Sequence, residues 1–349
     1  MKYFWYHFIV HPWMRLGLLF FFQRIRVYGK KNIPKNKAVI FLPNHQNAFM
    51  DALVINTRHK RTTHTLVRAS IFGKKWTDFL LKSINLMPVY RIRDGASQMN
   101  KNNETFKQCF EILEKGECLL IHPEGNHSLN KFLRPISKGF TRIGLGALAE
   151  NPNLEIDLIP VGVNYSHSKL FFGKASVHFG EAINPQNFIE KPQELKKLVE
   201  ERMRELIVNI PEENYEDNKA ILDGFGADYS DLIGSKYLIH TYLELKKDPP
   251  PLKAKKINPI HVLVSINNIP FLILWKRISK SLQDPAFHSS IKFCLGLFLF
   301  PLYHILLFWF FENLFSRPIA LSYLLFSLIS LPYLSKRFKF INGTKHKPF

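Results

Sequence analysis

Apolar and polar positions change period repeatedly along residues 37–180. Short unbroken apolar runs predict strands buried on both faces: "KAVIFLP" (37–43), "THTLVRA" (63–69), "LMPVYRI" (86–92), "ECLLIHP" (117–123), "DLIPVGVNY" (157–165) and "ASVHFG" (175–180). The stretches between them, 48–57, 74–84, about 97–115 and about 138–150, predict helices. Residues 191–209, "KPQELKKLVEERMRELIVN", repeat apolar positions every three or four residues and predict a further helix. This alternation predicts an α/β fold, a mixed sheet covered by helices.

Beyond residue 210 the pattern changes. Residues 211–247 are charged and helical in character, and "DPPPLKAKK" (248–256) predicts a stiff linker. "PIHVLVSINNIPFLILW" (259–275) is an apolar helix followed by Lys276, Arg277 and Lys280. Residues 293–311 and 318–334 carry no formal charge, and each approaches the roughly 17–20 residues needed to cross a bilayer. They predict a two-helix membrane hairpin. Basic residues on both flanks place those flanks on the cytoplasmic side and the "ENLFSR" loop outside.

The first 29 residues are apolar and aromatic, but His7, His11, Pro12 and Arg15 interrupt them and no small-residue cleavage site follows. A secretory signal is therefore rejected. The reading adopted is an interfacial helix with Arg15, Arg24 and Arg26 near the headgroups; a buried core helix is the other. The predicted organisation is an N-terminal interface helix (1–30), a catalytic domain (31–210), a helical extension and linker (211–290), the hairpin (291–335) and a basic tail (336–349).

Charge narrows the partners. The net charge of +20 implies an anionic surface or substrate. No nucleic-acid partner is expected, because a recognition-helix pattern, an aromatic RNA-binding strand and zinc ligands are all missing. Cys109, Cys118 and Cys294 are scattered and form no metal-ligand spacing.

The candidate chemistry begins at "NHQNAFMD" (44–51). His45 follows a strand and precedes a helix, at the sheet edge where α/β folds gather functional groups. A helix N-terminus favours the neutral imidazole that a general base requires. Asp51 is positioned to orient it. Taken alone, a histidine and an aspartate at this spacing are weak evidence.

Three later stretches change that weight. "LMPVYRIRD" carries Arg91 and Arg93 on a predicted strand end. "HPEGNHS" carries Pro123, Glu124, Gly125, Asn126, His127 and Ser128. "LIPVGVNY" surrounds Pro160, and "RPISKGF" supplies Arg134 and Lys138. In this order the blocks resemble the glycerol-3-phosphate / 1-acylglycerol-3-phosphate (lysophosphatidate) O-acyltransferase superfamily of the PlsC type, over about residues 37–185.

The resemblance implies acyl transfer from a thioester donor, acyl-CoA or acyl carrier protein, to a phosphorylated glycerol acceptor. His45 would be the base and Asp51 its orienting carboxylate. Asn44, Arg91, Arg93, Glu124, Gly125, Asn126, His127, Arg134 and Lys138 would line the substrate site, with backbone N–H groups near Gly125, or a water, at the oxyanion. It implies no cofactor and no metal. The predicted hairpin and apolar N-terminus add an expectation of membrane localisation, with the catalytic domain facing the cytoplasm and a membrane lipid as partner. Two departures stand out. The first block has five residues between His45 and Asp51 where the family has four, and His127 stands where the family has an arginine. These departures favour an alternative: a non-catalytic lipid-binding or scaffolding protein that retains the fold.

Overall fold

A computed structural model describes residues 5–91, 100–245 and 259–342. The predicted linker at 248–256 and Arg93 lie outside the described residues.

The chain enters as a π-helical turn, Trp5–Val10, leading into α1 (His11–Phe21). Strand β1 (Phe22–Tyr28) follows, then β2 (Ala38–Pro43), α2 (Phe49–Asn56), β3 (Thr63–Arg68), α3 (Lys75–Ser83), β4 (Leu86–Val89), α4 (Lys101–Glu114) and β5 (Cys118–Leu120). Helix α5 (Gly139–Glu150), β6 (Ile156–Tyr165), β7 (Gly173–Phe179) and α6 (Pro192–Leu206) complete the α/β unit.

The seven strands form one sheet in the order β1-β7-β6-β2-β5-β3-β4. Every neighbouring pair is parallel except β6 with β7. The mixed sheet read from the sequence is therefore present, with β1 as an added edge strand. All six residues of β2 are buried, as its central position requires. Its side chains alternate. Ala38, Ile40 and Leu42 pack with α4, α5 and α6, whereas Val39 and Phe41 pack with α2 and α1.

Strand β4 ends at Val89, two residues before Arg91. Arg91 thus stands on the loop beyond the strand, not on the strand face its alternation with Arg93 predicts. Pro88 lies on β4 at the edge of the sheet, where a missing N–H is tolerated.

Helix α1 reconciles the two readings of the N-terminus. Leu18 and Phe21 are buried against the sheet, while Trp13, Leu16, Leu19 and Phe20 are exposed. His11 Nε2 meets the Asn56 carbonyl at 3.1 Å, and His7 Nε2 meets the Thr62 hydroxyl at 2.9 Å. These histidines fasten the helix to the domain. On α3 no residue is buried, and Trp76, Phe79 and Leu80 are exposed.

Helices α7 (Tyr215–Gly224) and α8 (Leu232–Leu245) form a satellite cluster around Leu222, Tyr229 and Leu232. Helices α9 (Pro259–Asn267) and α10 (Ile269–Ser281) lead to α11 (Phe287–Cys294). That helix continues through a π-helical turn, Leu295–Leu299, into α12 (Phe300–Leu314). Residues Phe287–Leu314 are long and apolar enough to cross a membrane, alone among the described residues. Helix α13 (Arg317–Asn342) follows after two residues and packs on α12. Within it, residues Arg317–Ser330 are apolar.

Candidate active site

The site begins where β2 stops. Asn44 extends the strand: its amide donates to the Val163 carbonyl at 3.1 Å, and its side-chain oxygen accepts from the Val163 N–H at 2.7 Å. Asn44 is 2% exposed. Both its polar atoms are spent on β6, so it braces the loop that carries His45.

His45 Nδ1 lies 2.8 Å from Asp51 Oδ2. The same oxygen accepts the Asn47 N–H at 2.7 Å, and Asp51 Oδ1 accepts the Tyr165 hydroxyl at 2.8 Å. Asp51 sits in the first turn of α2, where a carboxylate also meets the positive end of the helix dipole. With Nδ1–H committed to Asp51, Nε2 is the ring atom left to accept a proton.

The fifth intervening residue has a specific cost. Ala48 adopts φ 43° and ψ −128°, positive-φ backbone that disfavours an L-residue. The loop takes up its extra residue there, and α2 still starts in time to bring Asp51 to the imidazole. Strain of this kind gathers at functional sites and costs about 1–3 kcal/mol.

Electrostatics favour a neutral His45. Burial, then the charges of His127 and Arg134, push it down to about 3. His122 stacks on it with ring centres 3.7 Å apart, and burial drives that ring well below its usual range too. Burial pushes the Asp51 carboxyl up; the charge of His122 and the Asn47 and Tyr165 donors pull it back.

Glu124 organises the other wall. Its side chain is 2% exposed and reaches Arg134 Nε at 2.9 Å. It also accepts the His45 N–H at 2.6 Å and the Arg134 N–H at 3.2 Å. Burial raises the Glu124 carboxyl, and Arg134 opposes the rise. Arg134 further contacts Asn126 through its side-chain and backbone oxygens. Arg91 Nη1 donates to the Gly125 carbonyl at 3.2 Å. Gly125 has φ 71°, the left-handed turn that lets this loop double back. Its own N–H is committed to the His122 carbonyl at 3.1 Å, so it is not a ready oxyanion donor.

His127 completes the cluster. Its ring stands edge-on to His45 at 5.5 Å between centres, and its Nε2 lies 2.6 Å from Asp284 Oδ2. Phe287 packs against it at 5.2 Å. The Asp284 carboxyl is held low: burial alone would raise it, but the Ala286 N–H and His127 outweigh that. Lys138 is exposed at the start of α5, where its carbonyl accepts the Thr141 hydroxyl at 2.8 Å. No contact described above joins its amine to the cluster. No group of His, Cys, Asp and Glu suited to a metal ion occurs among the described residues.

Tyr165, Asp284 and the stacking role of His122 escaped sequence reasoning. Tyr165 closes a quoted strand, but only the folded chain brings its hydroxyl to Asp51. Asp284 lies far along the chain in no motif.

The family model for acyltransferases matches residues 24–164. The chain is 35% identical over 82 residues to glycerol-3-phosphate O-acyltransferase 2 of Saccharomyces cerevisiae, covering 24% of this chain and 11% of that protein. It is 26% identical over 135 residues to the chloroplastic 1-acyl-sn-glycerol-3-phosphate acyltransferase LPAT1 of Arabidopsis thaliana, covering 38% of this chain and 36% of that one. The chain thus spans well under two thirds of these relatives. A crystal structure of the 1-acyl-sn-glycerophosphate acyltransferase PlsC from Thermotoga maritima is similar at a TM-score of 0.44 and 20% identity, over 60% of this chain and 78% of that one.

Proposed function

Residues 24–164 belong to the glycerolipid acyltransferase superfamily, and from that premise we propose that the chain moves a fatty acyl group from a thioester, acyl-CoA or acyl carrier protein, to a hydroxyl of a glycerol-phosphate acceptor. The observation that carries the reading is the His45–Asp51 contact of 2.8 Å, which leaves Nε2 as the proton acceptor.

The acceptor hydroxyl gives its proton to His45 Nε2 as its oxygen bonds to the thioester carbonyl. Asp51 stabilises the imidazolium that forms. The tetrahedral intermediate collapses, the carbon–sulfur bond breaks, and the thiolate leaves with the proton returned by His45. No covalent intermediate on the protein is needed. Arg91 and Arg134, whose guanidinium groups converge on the 124–126 loop, suit the acceptor phosphate. The exposed apolar faces of α1 and α3 and the long apolar helix 287–314 favour a membrane-bound enzyme acting at the bilayer surface.

The test is acyl transfer to glycerol-3-phosphate and to lysophosphatidate by membranes carrying the wild type or His45→Ala. Loss of a base removes about 10²–10⁴-fold in rate. Equal turnover by both proteins sinks the reading of His45 as base; lipid binding that survives His45→Ala, with no turnover of either acceptor, favours the non-catalytic alternative.

A further inference from the structure

Asp284 reaches the candidate site from 157 residues further along the chain, with its Oδ2 lying 2.6 Å from His127 Nε2. The family model ends at residue 164, so this carboxylate comes from outside the matched unit.

Packing fixes its place. Asp284 Oδ1 accepts the Ala286 N–H at 2.9 Å, and the Asp284 carbonyl accepts the Phe287 N–H at 3.2 Å. One carboxylate oxygen is thus spent on the approach to α11 and the other on His127. Helix α11 is in turn fastened to the domain. Lys292 Nζ donates to the Lys169 carbonyl at 2.8 Å, and the Ser289 hydroxyl donates to the Ser168 carbonyl. Phe293 is buried edge-on to Phe21, with ring centres 5.6 Å apart. Phe287 packs on the His127 ring itself. The pair is therefore set before any substrate arrives, and that ordering is not repeated on binding.

As a prop for the fold the pair is weak. The Asp284 side chain is 47% exposed and that of His127 21%, and ion pairs this open add little to stability. Its consequence is for the ring. Burial would raise the Asp284 carboxyl, but the Ala286 N–H and His127 hold it low, so it is ionised at neutral pH. It engages Nε2 and leaves Nδ1 as the ring atom open to a ligand. The ring stands beside His45, and Asn126, the residue before it, is in contact with Arg134. An imidazole lacks the fork of a guanidinium and offers a phosphate a single N–H, so its aim matters more. With Asp284 on one nitrogen and a phosphate on the other, the ring is an imidazolium bracketed by two anions.

We propose that Asp284 is a positioning residue of the active site: it holds His127 by Nε2 so that Nδ1 is presented to a substrate phosphate beside His45. The inference rests on the acyl transfer proposed above. It gives the segment that opens the long apolar helix a part in substrate affinity. Two substrates carry a phosphate, the glycerol acceptor and acyl-CoA, and the experiment separates them.

Full-length protein in membranes is assayed with lysophosphatidate and glycerol-3-phosphate as acceptors and acyl-CoA as donor, and KM and kcat are measured for each substrate in turn. Asp284→Asn should raise KM about fivefold for the substrate whose phosphate meets His127, with kcat moving less than about twofold. A rise confined to the acceptors assigns the ring to the acceptor phosphate; a rise confined to acyl-CoA assigns it to the donor. Asp284→Glu keeps the charge and should recover most of the loss. His127→Ala should raise the same KM at least as much, and adding Asp284→Asn to it should cost nothing more, because Asp284 acts through the ring. Three results overturn the inference while leaving acyl transfer intact: no change in any KM, a fall in kcat with KM unmoved, or additive effects of the two substitutions. No turnover of either acceptor by the wild type overturns both.

Discussion

Replacing Asp51 with asparagine separates what that carboxylate does for the reaction from what it does for the fold. The side chain is completely buried and accepts from His45, Asn47 and Tyr165. Asparagine keeps the shape and removes the charge. In the transition state of the proposed reaction an imidazolium forms, with Nδ1 2.8 Å from Oδ2. Taking the delocalised charges as about 4 Å apart at an effective dielectric near 20, the attraction lost is about 4 kcal/mol. That corresponds to a drop in kcat of roughly 10³-fold.

Stability should move the other way. Burial raises the folded-state pKa of Asp51 above its ordinary value. A raised carboxyl favours the fold while protonated, and that contribution is lost as pH rises through the folded pKa. The neutral amide of Asp51→Asn carries no such penalty at neutral pH, so Tm should hold or rise. The assay is release of free CoA thiol with lysophosphatidate as acceptor, paired with thermal unfolding in detergent. A variant within threefold of the wild-type kcat refutes the orienting role. A normal kcat with a fall of several degrees in Tm would recast Asp51 as a purely structural group.

Histidine protonation should mark stability before activity. His45 and His59 are pushed down to about 3 by burial, and His122 lies well below its usual range for the same reason. A depressed imidazole costs stability as pH falls below the unfolded value of roughly 6.5, at about 1 kcal/mol per group by pH 5.5. Tm measured at pH 7.5 and 5.5 should fall, while kcat/KM of the surviving folded enzyme shows no inflection near 6.5; such an inflection would contradict a neutral, buried His45. Glu124→Ala strips Arg134 and the His45 N–H of their acceptor and should cost about 3–5 kcal/mol in denaturant unfolding, with Glu124→Gln losing less because it keeps an accepting oxygen. Ala48→Gly relieves the positive φ and should stabilise by about 1 kcal/mol in the same assay; a destabilised variant would mean that the loop is not strained there.

The sheet was legible because a buried strand must be apolar on both faces, and β2 and β6 are buried along their whole length. The order of strands was not, since β1 pairs with β7 from the far end of the domain and carries no signal beyond its own alternation. His45 and Asp51 were legible as a motif, but whether five intervening residues let them touch depends on the backbone at Ala48, which residue types alone do not fix. Arg91 and Glu124 were legible as motif residues; the structure moves Arg91 off the strand and adds that Glu124 grips the loop on both sides. Tyr165 and Asp284 were not, because each reaches the site only through tertiary register.

The pairing of β1 with β7 constrains how the protein is made. Phe22 emerges from the ribosome directly after the apolar helix α1, yet its partner in the sheet is Gly173. At roughly 5–20 residues per second, about 8–30 s of synthesis separate the two. For that interval α1 and a bare edge strand exist without the domain that will cover them. A membrane surface is a place for exposed tryptophan and phenylalanine to wait. With its exposed apolar face, the helix is thus suited to hold the nascent chain at an apolar surface before the rest of the sheet is made.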